Sequence, residues 1–229
     1  MEKFNDWQDD YFNNCYCSED DRCGCTYQKN DDCGEQQKRH CITPVKVGKQ
    51  AVNFTAPAVM GDNSTTDVFN LFDYISGSYA LLVFYLADFS AVCPLELTAF
   101  NQAFDEFQSR GIKMVAISVD SLPAHLAWRR LPFSEGGIGN VRFPLVSDVN
   151  KTACRAYGVL RPDGLAQRAI FLIDKNYTIR YQSIYDRQIA RDVEETLRIV
   201  DEQIRLDEKE CKGMACLKKK VASIYSGEV

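Results

Sequence analysis

Tyr79-Ala80-Leu81-Leu82-Val83-Phe84-Tyr85-Leu86-Ala87-Asp88-Phe89-Ser90-Ala91-Val92-Cys93-Pro94-Leu95-Glu96 joins a strand to a helix. Tyr79 to Tyr85 is an unbroken apolar run, the pattern of a strand covered on both faces. Leu97, Phe100, Phe104 and Phe107 then recur at helical spacing. Cys93 therefore falls in the first turn of a helix, where free backbone N–H groups and the positive end of the helix dipole favour thiolate over thiol. Ser90 lies at a plausible N-cap, so its hydroxyl is expected to face the sulfur or whatever the sulfur attacks. Two readings of Cys93 stand on this stretch alone, a nucleophile or an inert buried cysteine acting as a small apolar side chain.

Working outward, Ile112 to Val119 reads as a strand, Ala124 to Leu131 as a helix, and Gly136 to Gly139 as a loop. A short strand near Phe143 to Val146 precedes a helix at Lys151 to Tyr157. Ala169 to Ile173 and Thr178 to Ile184 form a hairpin about Asp174-Lys175-Asn176. Ile189, Val193, Leu197, Val200 and Ile204 mark a long amphipathic final helix. Strands alternating with helices, followed by a hairpin and a closing helix, imply an α/β domain with a central mixed sheet flanked by helices, an order that suits a thioredoxin-like fold.

The chain has 229 residues, 45% of them hydrophobic, enough for one substantial core and an appendage. No apolar stretch is long enough to span a bilayer, and the acidic start is unlike a signal peptide, so a soluble cytoplasmic protein is expected. Ten cysteines in that compartment point to redox chemistry or metal rather than static disulfides. The net charge of −5 resides in residues 1–43, and the balanced remainder argues against nucleic acid as a partner.

Residues 1–43 form a separate acidic extension with an internal octad repeat. Cys17, Cys25, Cys33 and Cys41 fall eight residues apart, and Cys15 and Cys23 keep the same interval. These six thiols with His40 could ligate a thiophilic metal, although the spacing matches no recognised zinc pattern. The other reading is an acidic, thiol-rich tail with little apolar surface to bury. Residues 44–206 form the folded domain, and 207–229 a C-terminal arm.

From Val45 to Cys211 the sequence resembles the peroxiredoxins of the typical two-cysteine group that includes alkyl hydroperoxide reductase C. The resemblance rests on FYLADFSAVCPLE around Cys93, His125-Leu126-Ala127-Trp128, Gly136 to Gly139, Phe143 to Asp148, Tyr157 to Leu160, and Arg168 to Asp174. It implies a thiol peroxidase that uses no metal or cofactor. Cys93 becomes the peroxidatic cysteine, Ser90 the hydroxyl that holds peroxide, Arg168 the cation that stabilises both, and Glu96 the carboxylate that orients the arginine. A second cysteine resolves the sulfenic acid. The family's Val-Cys-Pro context for it is missing here, leaving Cys211 with Cys216 as the alternative. The resemblance further implies a homodimer or higher ring, a peroxide substrate and a thioredoxin-like reductant. It also pairs the glycine loop with Ile224-Tyr225 near the C-terminus. Leu86, Ala91 and Leu95 depart from the family's proline, phenylalanine and threonine. Two alternatives remain at this point: a redox-dependent chaperone or scaffold, and a thiol or metal-binding relay in the extension.

Overall fold

A computed structural model describes the backbone of residues 44–226 and the side chains of residues 44–209. Its strands are β1 (Thr55–Val59), β2 (Thr65–Asn70), β3 (Tyr79–Phe84), β4 (Ile112–Ser118), β5 (Leu145–Ser147), β6 (Arg168–Ile173) and β7 (Ile179–Tyr185). Its helices are α1 (Leu71–Ile75), α2 (Cys93–Gln102), α3 (Phe104–Ser109), α4 (Leu122–Arg130), α5 (Thr152–Ala156) and α6 (Val193–Ser226). The seven strands form one sheet in the order β2-β1-β5-β4-β3-β6-β7. β3, β4 and β5 run parallel, and β6, β7, β1 and β2 pair antiparallel around them. This is the mixed sheet flanked by helices that the sequence predicts.

Every residue of β3 is buried, because its two faces feed two cores. Ala80, Leu82 and Phe84 join Phe171, Ile173, α1 and α5 on one side, together with Val45, Ala51 and Phe54. Leu81 and Val83 join Ile170, Leu172, Cys93, Leu97, Phe100, Trp128, Leu197 and Val200 on the other. The period-two alternation of a strand distributes its side chains this way. β6 has the same double coverage, so Arg168 is carried at the edge of a fully buried strand.

Several elements depart from expectation. The β1–β2 hairpin and α1 precede the expected elements; only Phe69 of β2 is buried, so no alternation announced that strand. The helix after Cys93 breaks at Ala103 into α2 and α3. The final helix begins at Val193 rather than Ile189, which is 56% exposed. Its start is fixed by Asp192, whose carboxylate accepts from the backbone N–H of Glu194 (2.8 Å) and Glu195 (3.2 Å). Backbone helix continues to Ser226, so residues 207–226 prolong α6. Among the described residues no helix is long and apolar enough to cross a membrane.

Candidate active site

Cys93 is the first residue of α2, has no exposed surface, and is followed by Pro94 in the first turn, where a missing N–H costs nothing. The residue outside the helix is Val92, with φ −103° and ψ −32°, and no side chain caps the helix. Ser90 is therefore not the N-cap. The loop turns at Phe89, whose φ of 56° is left-handed, an uncommon conformation for a non-glycine residue. That turn folds Ser90 back, and its hydroxyl donates to the Ala87 carbonyl at 2.9 Å.

One helical turn beyond Cys93, Glu96 points inward and is 3% exposed. Its carboxylate accepts from Nη1 of Arg168, the first residue of β6. It also accepts from Arg191 through the backbone N–H (2.8 Å), Nε (3.0 Å) and Nη2 (3.0 Å). Arg191 Nη1 donates in turn to the Phe84 carbonyl at 2.6 Å and the Ala169 carbonyl at 3.1 Å, tying the ends of β3 and β6 together. Arg168 Nε donates to the Arg187 carbonyl at 2.9 Å. One carboxylate between two guanidinium groups leaves this buried trio with a net positive charge beside Cys93. Sequence reasoning found Glu96 and Arg168 and missed Arg191, which sits in the polar stretch before α6 with no periodicity to mark it.

The loop is held from its other side by Asp88. Its carboxylate accepts from Tyr85 Oη at 2.8 Å and lies 2.8 Å from His125 Nδ1, while its backbone N–H donates to Asp120 at 2.9 Å. His125 and Trp128 share α4, and Trp128 Nε1 donates to the Gly136 carbonyl at 2.8 Å, linking the glycine loop to the same core. Burial pushes the Asp88 carboxyl above its ordinary value of 3.8, opposed by the His125 contact. A carboxyl raised in the folded state binds its proton more tightly there than in the unfolded chain. Its contribution to stability is full below pH 3.8 and falls as pH rises through the folded-state value. The stability of wild type minus that of Asp88→Asn is therefore expected to decline with rising pH across this window. Denaturant unfolding at a series of pH values checks it; a constant difference would mean that Asp88 titrates normally.

The remaining expected site residues separate. Cys154 is buried in α5, where burial and the neighbouring Asp148 push its thiol well up, so it stays an unreactive core residue. Cys211 and Cys216 lie on α6, and their side chains, like that of Tyr225, fall outside the described ones. Asp207 bonds Tyr79 at the end of β3 remote from Cys93, so α6 runs away from the Cys93 of its own chain. The metal candidates Cys15, Cys17, Cys23, Cys25, Cys33, His40 and Cys41 lie outside the described residues. Among the described residues no group of three or more metal-binding side chains occurs.

Comparison with known proteins agrees with this geometry. Residues 47–182 match the AhpC/TSA family. The chain is 40% identical over 162 residues to alkyl hydroperoxide reductase C of Helicobacter pylori, covering 71% of this chain and 82% of that protein. It is 43% identical over 155 residues to peroxiredoxin-1 of Gallus gallus, covering 67% and 77%. Among solved structures, the reduced 2-Cys peroxiredoxin of Plasmodium vivax superposes with a TM-score of 0.69 at 43% identity, covering 72% of this chain and 85% of that one. AhpC of Mycobacterium tuberculosis gives 0.63 at 29% identity, covering 69% and 92%. A buried helix-start cysteine, its arginine and these relatives together place the chain in the AhpC/TSA family, among the two-cysteine peroxiredoxins and alkyl hydroperoxide reductases.

Proposed function

We propose that this chain reduces hydrogen peroxide and small organic hydroperoxides in the cytoplasm, with Cys93 as the attacking residue. The observation that carries the reading is the cysteine at the head of α2, one turn from the Glu96–Arg168–Arg191 cluster. The Cys93 thiolate attacks the distal peroxide oxygen and the O–O bond breaks. The leaving alkoxide or hydroxide takes a proton, and Cys93 becomes a sulfenic acid. Both electrons come from sulfur, so the balance needs no metal or flavin. Negative charge moves from sulfur to the leaving oxygen during attack. A fixed guanidinium at Arg168 serves both positions without reorganising. Glu96 and Arg191 act through Arg168 by fixing its plane, and Ser90 supplies a hydroxyl to the peroxide when it leaves the Ala87 carbonyl.

A second cysteine then condenses with the sulfenic acid, releasing water and forming a disulfide that an external thioredoxin-like carrier reduces. Cys211, with Cys216 as the alternative, is assigned to that step from a partner subunit, because α6 carries both away from the Cys93 of its own chain. β7 supports a homodimer: it forms an outer edge of the sheet with Ile184 52% exposed, suited to pairing with a second copy and to rings of dimers. The test is dimedone labelling of the reduced protein after one equivalent of hydrogen peroxide, with peptide mass spectrometry. Label at Cys93 is expected; label confined to other cysteines would overturn the assignment.

A further inference from the structure

The segment between β3 and α2 is seated over Cys93 by one side chain. Cys93 has no exposed surface, so a second thiol reaches its sulfur only when residues 87–92 swing away. Phe89 holds a left-handed φ of 56°, a conformation that a bulky side chain keeps only where its surroundings impose it. Its ring rests 6.1 Å from that of Trp128 and still is 53% exposed. Ser90 bonds to Ala87 inside the segment and so adds no tie to the body. Between Leu86 and Cys93 only Asp88 is buried. The plug that seats this segment in the core is therefore a carboxyl group, where an apolar side chain is the ordinary choice.

A carboxylate seat holds only while its hydrogen bonds are complete. One Asp88 oxygen accepts from Tyr85 Oη at 2.8 Å, and the other lies 2.8 Å from His125 Nδ1. Both partners belong to the body: Tyr85 N–H donates to the Ile117 carbonyl of β4 at 3.0 Å, and His125 sits in α4. The Asp88 backbone N–H adds a bond to Asp120 at 2.9 Å, and the same Asp120 oxygen accepts from Ser118 Oγ at 2.7 Å. His125 has no exposed surface, and its Nε2 finds no partner among the described residues. An ionised Asp88 therefore receives the Nδ1 proton, and that bond is the main satisfaction this ring has. When Asp88 leaves, Tyr85 and His125 keep one long mutual contact of 3.3 Å, so the seat forms as a unit or not at all.

We infer that Asp88 and His125 are positioning residues whose hydrogen bond clasps this segment shut over Cys93, and that the clasp divides the sulfenic acid between resolution and over-oxidation. The inference rests on Cys93 being the peroxide-reactive cysteine. With the clasp shut, the enclosed sulfur admits a peroxide but no protein thiol. A second peroxide then gives up one oxygen, its O–O bond breaks, and sulfinic acid forms with release of water or an alcohol. With the clasp open, a thiolate attacks the sulfenic sulfur, the S–O bond breaks, the hydroxyl leaves as water and a disulfide forms. Ser90 lies two residues beyond Asp88, so the shut clasp also fixes the hydroxyl offered to the peroxide. Asp88 and His125 act through the backbone that carries Ser90 and Cys93.

The test is the rate at which N-ethylmaleimide alkylates Cys93 in the reduced full chain, read by peptide mass spectrometry. Cys154 is the internal control, because it lies in the core on the opposite face of the sheet. His125→Leu removes the donor and is expected to speed labelling of Cys93 about tenfold. Tyr85→Phe keeps its ring in the core, loses only the hydroxyl, and is expected to speed it about threefold. His125→Asn, whose amide restores a donor in place of Nδ1–H, is expected to stay near wild type, and Cys154 labelling to stay unchanged throughout. In a peroxide titration with dithiothreitol recycling, the sulfinic yield at Cys93 should fall in the same order of variants. If His125→Leu fails to fold, Tyr85→Phe decides alone. Equal acceleration at Cys93 and Cys154, or none at Cys93, would overturn the clasp while the peroxidase reading stands. Faster labelling with an unchanged sulfinic yield would overturn its link to over-oxidation. A wild-type Cys93 that peroxide never oxidises would instead overturn the peroxidase reading, and the division of the sulfenic acid with it.

Discussion

Replacing Cys93 with serine is expected to lower the second-order rate of peroxide reduction by about 10⁴-fold or more. Serine fills the same buried space at the head of α2, so the fold persists and the loss isolates the nucleophile. An alcohol remains protonated at neutral pH, and its oxygen is far less polarisable than thiolate sulfur. The positive Glu96–Arg168–Arg191 cluster cannot make up that difference. Competition kinetics against a reference peroxidase, with circular dichroism to confirm folding, decides the matter. A variant that kept a rate within tenfold of wild type would move the chemistry to another cysteine. Cys154→Ser is the control: its thiol lies in the core of α5 with the backbone N–H of Cys154 fixed by Asp148 at 2.7 Å, and its replacement changes stability rather than rate.

The parts legible in the sequence were those whose burial leaves a periodic trace. β3 and β6 read correctly because both of their faces are covered and every side chain is apolar apart from Arg168, which the motif picked out. β1 and β2 left no such trace: β1 contains Pro57, and Val68 on β2 is 73% exposed. Ser90 reads as an N-cap in the sequence and is not one, because the left-handed turn at Phe89 belongs to the loop's packing against Trp128, 6.1 Å away ring to ring, and not to any residue preference. Arg191 was invisible for a related reason. Its role comes from contacts with residues some 20 to 110 positions away in sequence, and an arginine in a charged loop looks like solvated surface until the fold buries it.

Glu96→Gln should show how much of the site depends on that hidden residue. The glutamine keeps the size and some acceptors of the carboxylate but removes the only negative charge shown between two buried guanidinium groups. Unpairing a buried ion cluster costs about 3–5 kcal/mol. For a domain of this size that is a fall in Tm of roughly 10 °C. Rate should fall as well, by about 100-fold, because Arg168 loses the partner that sets its plane and the reacting charge then meets a guanidinium that must reorganise. The two effects can be separated. Arg191→Met in the Glu96→Gln background removes one of the two uncompensated cations while retaining an apolar stem against Phe100, whose ring lies 5.8 Å from the guanidinium carbon. It is expected to recover part of the lost Tm and none of the lost rate. Thermal unfolding and peroxide kinetics on the single and double variants give the answer. Recovery of both would show that Glu96 serves stability alone, and retention of wild-type Tm in the single variant would show that the cluster is solvated rather than buried.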